Sequence, residues 1–435
     1  MTAGGTPPTA ETPADDGAVA AGPVAAGDVG GGVGGAGAHW NRGVLRSINE
    51  RVLLDRVRAA APISRAQLAR DTGLSKPTVS TALDTLERAG LVRAVGLETG
   101  ARGRAALLYE PDPTAGYVVG IDVGRAWIRV AVADLDGNLL ARQDRPNRAR
   151  SSATMLATAT NLAHAVVADA GLEASAVVHT VIGCPGVYDR AADRIRYAVN
   201  LPGWGRPGLR GRMEVALGTT VEIVNDANLA ALGEYHSGAG VGCPLFVYVT
   251  VGTGLGMGIV AEGRLFPGAN GAAGEIGFLP LSPRPSDVAE DAPDGVVSRR
   301  GMLEDAVSAD AVVRGARALG MVGPLSAKGV FDAARRGLEP AASAVRHEAQ
   351  RLAHVVAAVT AVLDPELVVL GGGIGANADL LLGPMTSTLH ELTPLRPRMA
   401  ASSLGEEAVL LGAVATAVSV ARDRVFAHHA MGLVP

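Results

Sequence analysis

A carboxylate where a strand gives way to a helix, flanked by glycine-rich turns, holds most of the chemical potential of this sequence. In VNDANLAALGE (Val224–Glu234), Asn225 and Asp226 end a strand and open a helix. Asp226 is placed to take a proton from a sugar hydroxyl; it would serve equally well as a plain helix cap. Two strand–turn–strand segments carry glycine in the turn. GIDVGRAWIRV (Gly120–Val130) has Asp122 at the end of its first strand and Gly124 just beyond, and TVGTGLGMGIV (Thr250–Val260) has Gly252, Thr253 and Gly254. Glycine lets backbone N–H groups approach a phosphate closely. GAAGEIGF (Gly271–Phe278) offers Glu275 to grip hydroxyls, and VVLGGGIGAN (Val368–Asn377) sets Gly372 and Gly373 after a strand, where they could face an adenosine. Each glycine run, taken alone, also reads as an ordinary turn.

A second chemistry lies nearer the amino terminus. A helix is predicted from Ser75 to about Ala89, with Val79, Leu83 and Leu86 at i, i+4 and i+7 turned to a core. That leaves Lys76, Pro77, Thr78, Ser80 and Thr81 outward at the helix start, small polar residues and one cation suited to base edges and phosphates in a major groove. Helix amino ends attract phosphate through unpaired N–H groups. Arg102 and Arg104, separated by one glycine, suit a narrow minor groove. The bland alternative is a small helical adaptor with solvated charges.

The elements that must position these groups follow from spacing. Leu45, Ile48, Val52 and Leu53 recur at helical intervals between Asn41 and Ala59. Ser64 caps a short helix through Ala69, Gly73 makes a turn, Ser75 caps the next helix and Gly90 stops it. Leu91–Val95 and Ala105–Tyr109 alternate as strands around the loop Gly96–Gly103, so three helices and a hairpin form a winged helix-turn-helix. Pro111 and Pro113 mark a linker. Beyond it, strands are predicted at Tyr117–Val123, Ile128–Asp134, Val178–Gly183, Val221–Val224, Leu245–Val251, Gly256–Ala261 and Leu367–Leu370, and helices at Ser151–Ala170 and Ala341–Leu363. Two successive α/β lobes of this kind imply a cleft. The domain reading is a tail at 1–39, a winged-helix domain at 40–112 and a two-lobed body at 117–425. No short-period repeat is visible.

Composition limits the options. The 435 residues are 48% hydrophobic but only 3% aromatic, so Ala, Val and Leu must fill the core. Net charge is −4, which excludes a general nucleic-acid sponge, yet Trp40–Ala115 holds 12 basic and eight acidic residues, so the basic excess lies where the DNA pattern is. Residues 1–39 have almost no large side chain and four acids, the composition of a disordered tail. Two cysteines without metal or redox spacing, no secretory signal and no run able to span a bilayer indicate a cytoplasmic protein.

The order of the motifs is similar to that of the ROK family of repressors and sugar kinases. The similarity runs from about Leu45 to Ala417 and includes GCPGVYD (Gly183–Asp189), NLPGW (Asn200–Trp204), NDAN (Asn225–Asn228), the Gly252–Gly258 hairpin, GEIG (Gly274–Gly277) and GMLE (Gly301–Glu304). This resemblance implies an α/β chain: a winged helix-turn-helix followed by a two-lobed, actin-like, hexokinase-like (ribonuclease H-like) body. It implies that Asn225, Asp226, Glu275 and Glu304 hold a sugar, with Asp226 the base in members that are kinases, and that a nucleotide cleft lies between the lobes in those members.

Departures from the family pattern set the reading. Family kinases carry Asp-x-Gly-Gly-Thr in the first hairpin; Arg125 and Ala126 stand at the last two positions here, adding bulk where phosphate approaches and removing a hydroxyl. The family's zinc ligands, one His and three Cys, correspond to Phe278, Gly295, Val297 and Met302, so no zinc is expected. The sequence reading is therefore a DNA-binding regulator, a repressor, controlled by a sugar or sugar derivative, without a cofactor, working as a homodimer or homotetramer on an operator. The alternative is an ATP–Mg-dependent sugar kinase acting through Asp226.

Overall fold

The computed structural model describes residues 42–99, 105–196, 205–280 and 301–431. The amino-terminal elements are α1 (Arg42–Ala60), β1 (Ile63–Ser64), α2 (Arg65–Thr72), α3 (Lys76–Arg88), β2 (Val92–Thr99) and β3 (Ala105–Pro111). Local chemistry sets their boundaries. The Ser64 hydroxyl accepts from the Gln67 N–H, and Gly73 ends α2 with φ 71°, a left-handed conformation that costs glycine nothing. Ser75 accepts from the Thr78 N–H and so caps α3. Leu53, Leu54, Val57, Val79, Leu83 and Leu86 are wholly buried. The inward face of α1 is thus one step round from the sequence pattern: of its periodic set only Leu53 is buried, and Leu45, Ile48 and Val52 are exposed. The wing sheet has three strands in the order β1-β3-β2, because Ile63 and Ser64 pair with Tyr109 and Leu108.

The body holds two five-stranded sheets. The first is built from β4 (Tyr117–Val123), β5 (Trp127–Asp134), β6 (Leu139–Pro146), β7 (Val177–Cys184) and β10 (Thr220–Asn225), with α4 (Ser152–Asp169), the small pair β8 (Val187–Asp189) and β9 (Arg194–Arg196), and α5 (Leu209–Leu217) inserted. It leads into α6 (Asp226–Ser237). The second contains β11 (Leu245–Val251), β12 (Leu255–Ala261), β13 (Arg264–Leu265), β14 (Leu367–Gly371) and β15 (Arg398–Ala401). Its helices are α7 (Met302–Val307), α8 (Ala309–Ala318), α9 (Ala327–Arg335), α10 (Glu339–Leu363), α11 (Gly372–Gly375) and α12 (Ala378–Leu392), and α13 (Ala408–Ala430) is the last of the described helices.

Strand order is β10-β7-β4-β5-β6 in one sheet and β13-β12-β11-β14-β15 in the other. Within each, an antiparallel meander of three strands is extended by two strands added in parallel at the first strand's free side. The two lobes therefore share one topology, the duplicated arrangement of actin-like folds. The predicted strands of the body all form, within one residue at their ends, whereas β2 of the wing runs four residues past the expected Val95, to Thr99, because its pairing with β3 continues into the stretch expected to be loop. From Arg46 onward the described residues form one compact unit.

Candidate functional site

Asp226 takes its position from both lobes. It follows the last residue of β10, in the first sheet, and α6 then runs across β12 of the second. That crossing is possible because β12 presents glycine: a Cβ on Gly258 would lie 2.5 Å from the Ala227 carbonyl oxygen, and one on Gly256 would lie 3.3 Å from the Ala227 methyl. The cap of α6 is Asn225, whose carbonyl oxygen accepts from the Asn228 N–H (3.1 Å) while its amide donates to the Gly186 carbonyl (3.2 Å). The Asp226 carboxylate accepts from backbone N–H groups, that of Ala227 at 2.8 Å among them. Of the two roles left open for Asp226, the side-chain cap of α6 thus falls to Asn225.

Two further carboxylates, Glu275 and Asp122, feel the charge of Asp226, and Glu304 is tied to Glu275. Burial raises the Glu275 carboxyl to about 7, and the charges of Asp226 and Glu304 add to the rise. Burial likewise raises Asp226. Asp122, on β4, is pushed up to about 7 by burial, against the pull of the Arg129 guanidinium 3.0 Å away and with a further push from Asp226. Glu304 lies against the second glycine hairpin, since a Cβ on Gly254 would sit 3.2 Å from its Oε2. Gly301 and Gly277 bring α7 and the turn after Glu275 together, backbone to backbone. This contact joins the elements of Glu275 and Glu304 directly.

The glycine turns also meet. A Cβ on Gly252 would lie 3.7 Å from the Gly373 N, and one on Gly372 would lie 2.5 Å from the Val251 carbonyl oxygen. Gly252, Thr253, Gly254, Gly372 and Gly373 therefore form one cluster at the ends of β11 and β14. Gly124 lies in the first hairpin, whose turn closes through a Gly124 N–H to Trp127 carbonyl bond of 2.9 Å and an Asn147 amide to Gly124 carbonyl bond of 2.7 Å. Arg125 and Ala126 are exposed at its tip.

The donor set does not fit a zinc ion. Phe278 and Met302 offer no imidazole nitrogen or thiolate; Gly295 and Val297 lie outside the described residues. On the DNA-reading side, Lys76 and Thr81 are exposed and Thr78 and Ser80 half-buried. The Thr78 hydroxyl is engaged with Ser75 at 2.8 Å, so its part in the helix cap competes with any contact to a base. Arg102 and Arg104 fall outside the described residues.

A model of the ROK family matches residues 118–419, and one of the MarR family matches residues 49–103. The chain belongs to the ROK family. A glucokinase of Halalkalibacterium halodurans is 32% identical over 68% of this chain and 93% of its own length. A xylose repressor of Caldicellulosiruptor bescii is 26% identical over 87% of this chain and 97% of its own. The crystal structure of a ROK family transcriptional regulator, a homologue of the E. coli MLC protein, superposes with a TM-score of 0.73 at 21% identity, over 89% of this chain and 99% of the other, which establishes the shared fold.

Proposed function

We propose that this chain is a sugar-responsive transcriptional repressor: the winged helix binds an operator and the carboxylate site binds a sugar or sugar derivative. One observation carries the reading. The Caldicellulosiruptor bescii xylose repressor aligns over 87% of the chain, a span too long for the body alone, whereas the glucokinases align over 68% to 71% of it. The polar face at the start of α3 would enter the major groove, with Lys76, Thr78, Ser80 and Thr81 nearest the bases. Arg102 and Arg104 are assigned to the minor groove. Asp226, Glu275 and Glu304 would accept hydrogen bonds from ligand hydroxyls, with Asn225 beside them. In this reading the protein is cytoplasmic, and two copies place two heads on half-sites about 10 base pairs apart or a multiple of that. Among the described residues no helix is long and apolar enough to cross a membrane. Neither nucleotide nor metal takes part.

A sugar acts on DNA affinity only through a difference in its own affinity for two states of the protein. The test is operator binding by the full chain with D-xylose, D-glucose and related sugars added in turn. Release by one sugar, lost in Asp226→Asn, supports the reading; release unaffected by that substitution removes the ligand from this site.

The kinship to glucokinases at 32% identity supports a second reading, an ATP-dependent sugar kinase with Asp226 as base. A coupled assay with ATP and a panel of hexoses decides between them, since turnover abolished by Asp226→Asn would establish the kinase.

A further inference from the structure

Helix α13 and the turn before it run from the first sheet and α6 to the winged-helix core. At its start, the turn Gly405–Glu407 is held by two arginines of the first sheet. Arg129 pairs at once with Glu406 and with Asp122 of the cleft hairpin (3.0 Å), and Arg142 pairs with Glu407 at 2.6 Å. Arg129 is only 12% exposed, so its pairing with Asp122 is poorly screened. In its first turns α13 crosses α6, the helix that begins at Asp226, at backbone contact: Gly412 faces the Leu229 carbonyl and Gly233 faces that of Ala408. A Cβ on Gly120 of β4 would likewise lie 3.1 Å from the Val414 N.

At its far end α13 is part of the winged-helix core. Phe426 packs in the same cluster as Leu53, Leu54, Leu83 and Leu86. Arg51 of α1 donates to Asp423 at 2.7 Å and lies over the Phe426 ring, and His429 meets the buried Glu50 at 3.1 Å. Glu50 in turn accepts from Arg46 at 3.0 Å, and Arg46 donates to the Thr85 hydroxyl of α3 at 2.9 Å. A continuous polar chain thus leads from α13 to the recognition helix.

We propose that α13 is a strut that couples the cleft hairpin and Asp226 to the recognition helix α3, with Glu406 and Glu407 fixing one end and Asp423, Phe426 and His429 the other. The inference deepens the repressor reading and rests on it for its purpose. At 1.5 Å per residue the 23-residue helix is about 34 Å long, so a small rotation about the α6 crossing is enlarged at the head. Bistable packed elements of this type carry small shifts at one site to another.

The test needs neither sugar nor DNA. Hydrogen exchange is compared between the full-length wild type and the paired variant Glu406→Gln, Glu407→Gln. Both side chains lie at the surface, 84% and 51% exposed, so the fold should survive. The strut predicts exchange faster by about threefold or more in α1 from Arg46 to Ala60 and in α3. A change confined to residues 402–412 overturns it. The reverse experiment, Asp423→Asn with His429→Gln, should loosen the Gly405–Glu407 turn, because coupling is reciprocal; an unaltered turn also overturns it. If the exchange coupling appears but no operator is ever bound, the repressor reading fails while the strut stands.

Discussion

Gly412→Ala tests the crossing on which Asp226 depends. The added methyl carbon would fall well inside van der Waals contact of the Leu229 carbonyl oxygen, 2.6 Å from that carbonyl's carbon and 3.0 Å from the Gly233 N. All three are backbone atoms, so no rotamer change relieves the clash and the helices must part. Overpacking a core typically costs about 1–3 kcal/mol where side chains are able to give way, and here the upper end applies. At about 2–4 °C per kcal/mol for a chain of a few hundred residues, the melting temperature should fall by roughly 6–12 °C. Differential scanning calorimetry of the full chain gives the answer. Gly315→Ala in α8 is the control, since a Cβ there meets nothing within 4 Å and helix propensity favours alanine by about 0.5–1 kcal/mol. A Gly412→Ala melting point within a degree of wild type, or an equal loss from Gly315→Ala, would refute the argument.

Other outcomes follow from single groups. Lys76→Ala should weaken operator binding to a similar extent on matched and mismatched sequences and lower the slope of log affinity against log salt by about 1, as loss of one phosphate contact requires. Asp122, Glu275 and Glu348 are each raised to about 7 by burial, so the folded state holds protons that the unfolded state gives up near pH 4. Stability is therefore greatest below that range and declines as pH rises through 7. Melting temperature should drop between pH 5.5 and pH 8, and Glu348→Gln, which removes a fully buried carboxyl, should flatten the drop. An unaltered slope in that variant would count against the assignment.

What the sequence disclosed was mostly local. Ser64, Gly73 and Ser75 act on neighbours two to four residues away, so their roles and the helices they bound could be read directly. The strand and turn positions of Asp122, Gly252 and Gly372 were legible for the same reason. Long-range effects were hidden. β1 is two residues long and exists only because it pairs with β3, some 45 residues further on. The shared strand order of the two lobes leaves no repeat in the residues, because topology constrains hydrogen bonding and burial rather than side-chain identity. Asn225 and Asp226 are both good caps, and only the backbone path shows which one caps. Gly233 and Gly412 look like weak points in helices; their function as a crossing appears once α6 and α13 are side by side. The outward apolar face of α1 could not be told from its inward face, since Leu45, Ile48 and Val52 keep the same period as the buried set.

The central claim, that a sugar bound beside Asp226 changes how the head holds DNA without consuming phosphate, is tested most directly by one titration. The full chain on fluorescent promoter DNA is followed by anisotropy while sugar, then ATP with magnesium, is added, and the mixture is assayed for sugar phosphate. The account predicts a shift in DNA affinity on sugar addition, no further change with nucleotide and no phosphorylated product. Steady phosphorylation at about 1 per second or faster, the ordinary range for enzymes, with DNA binding indifferent to sugar, would contradict it.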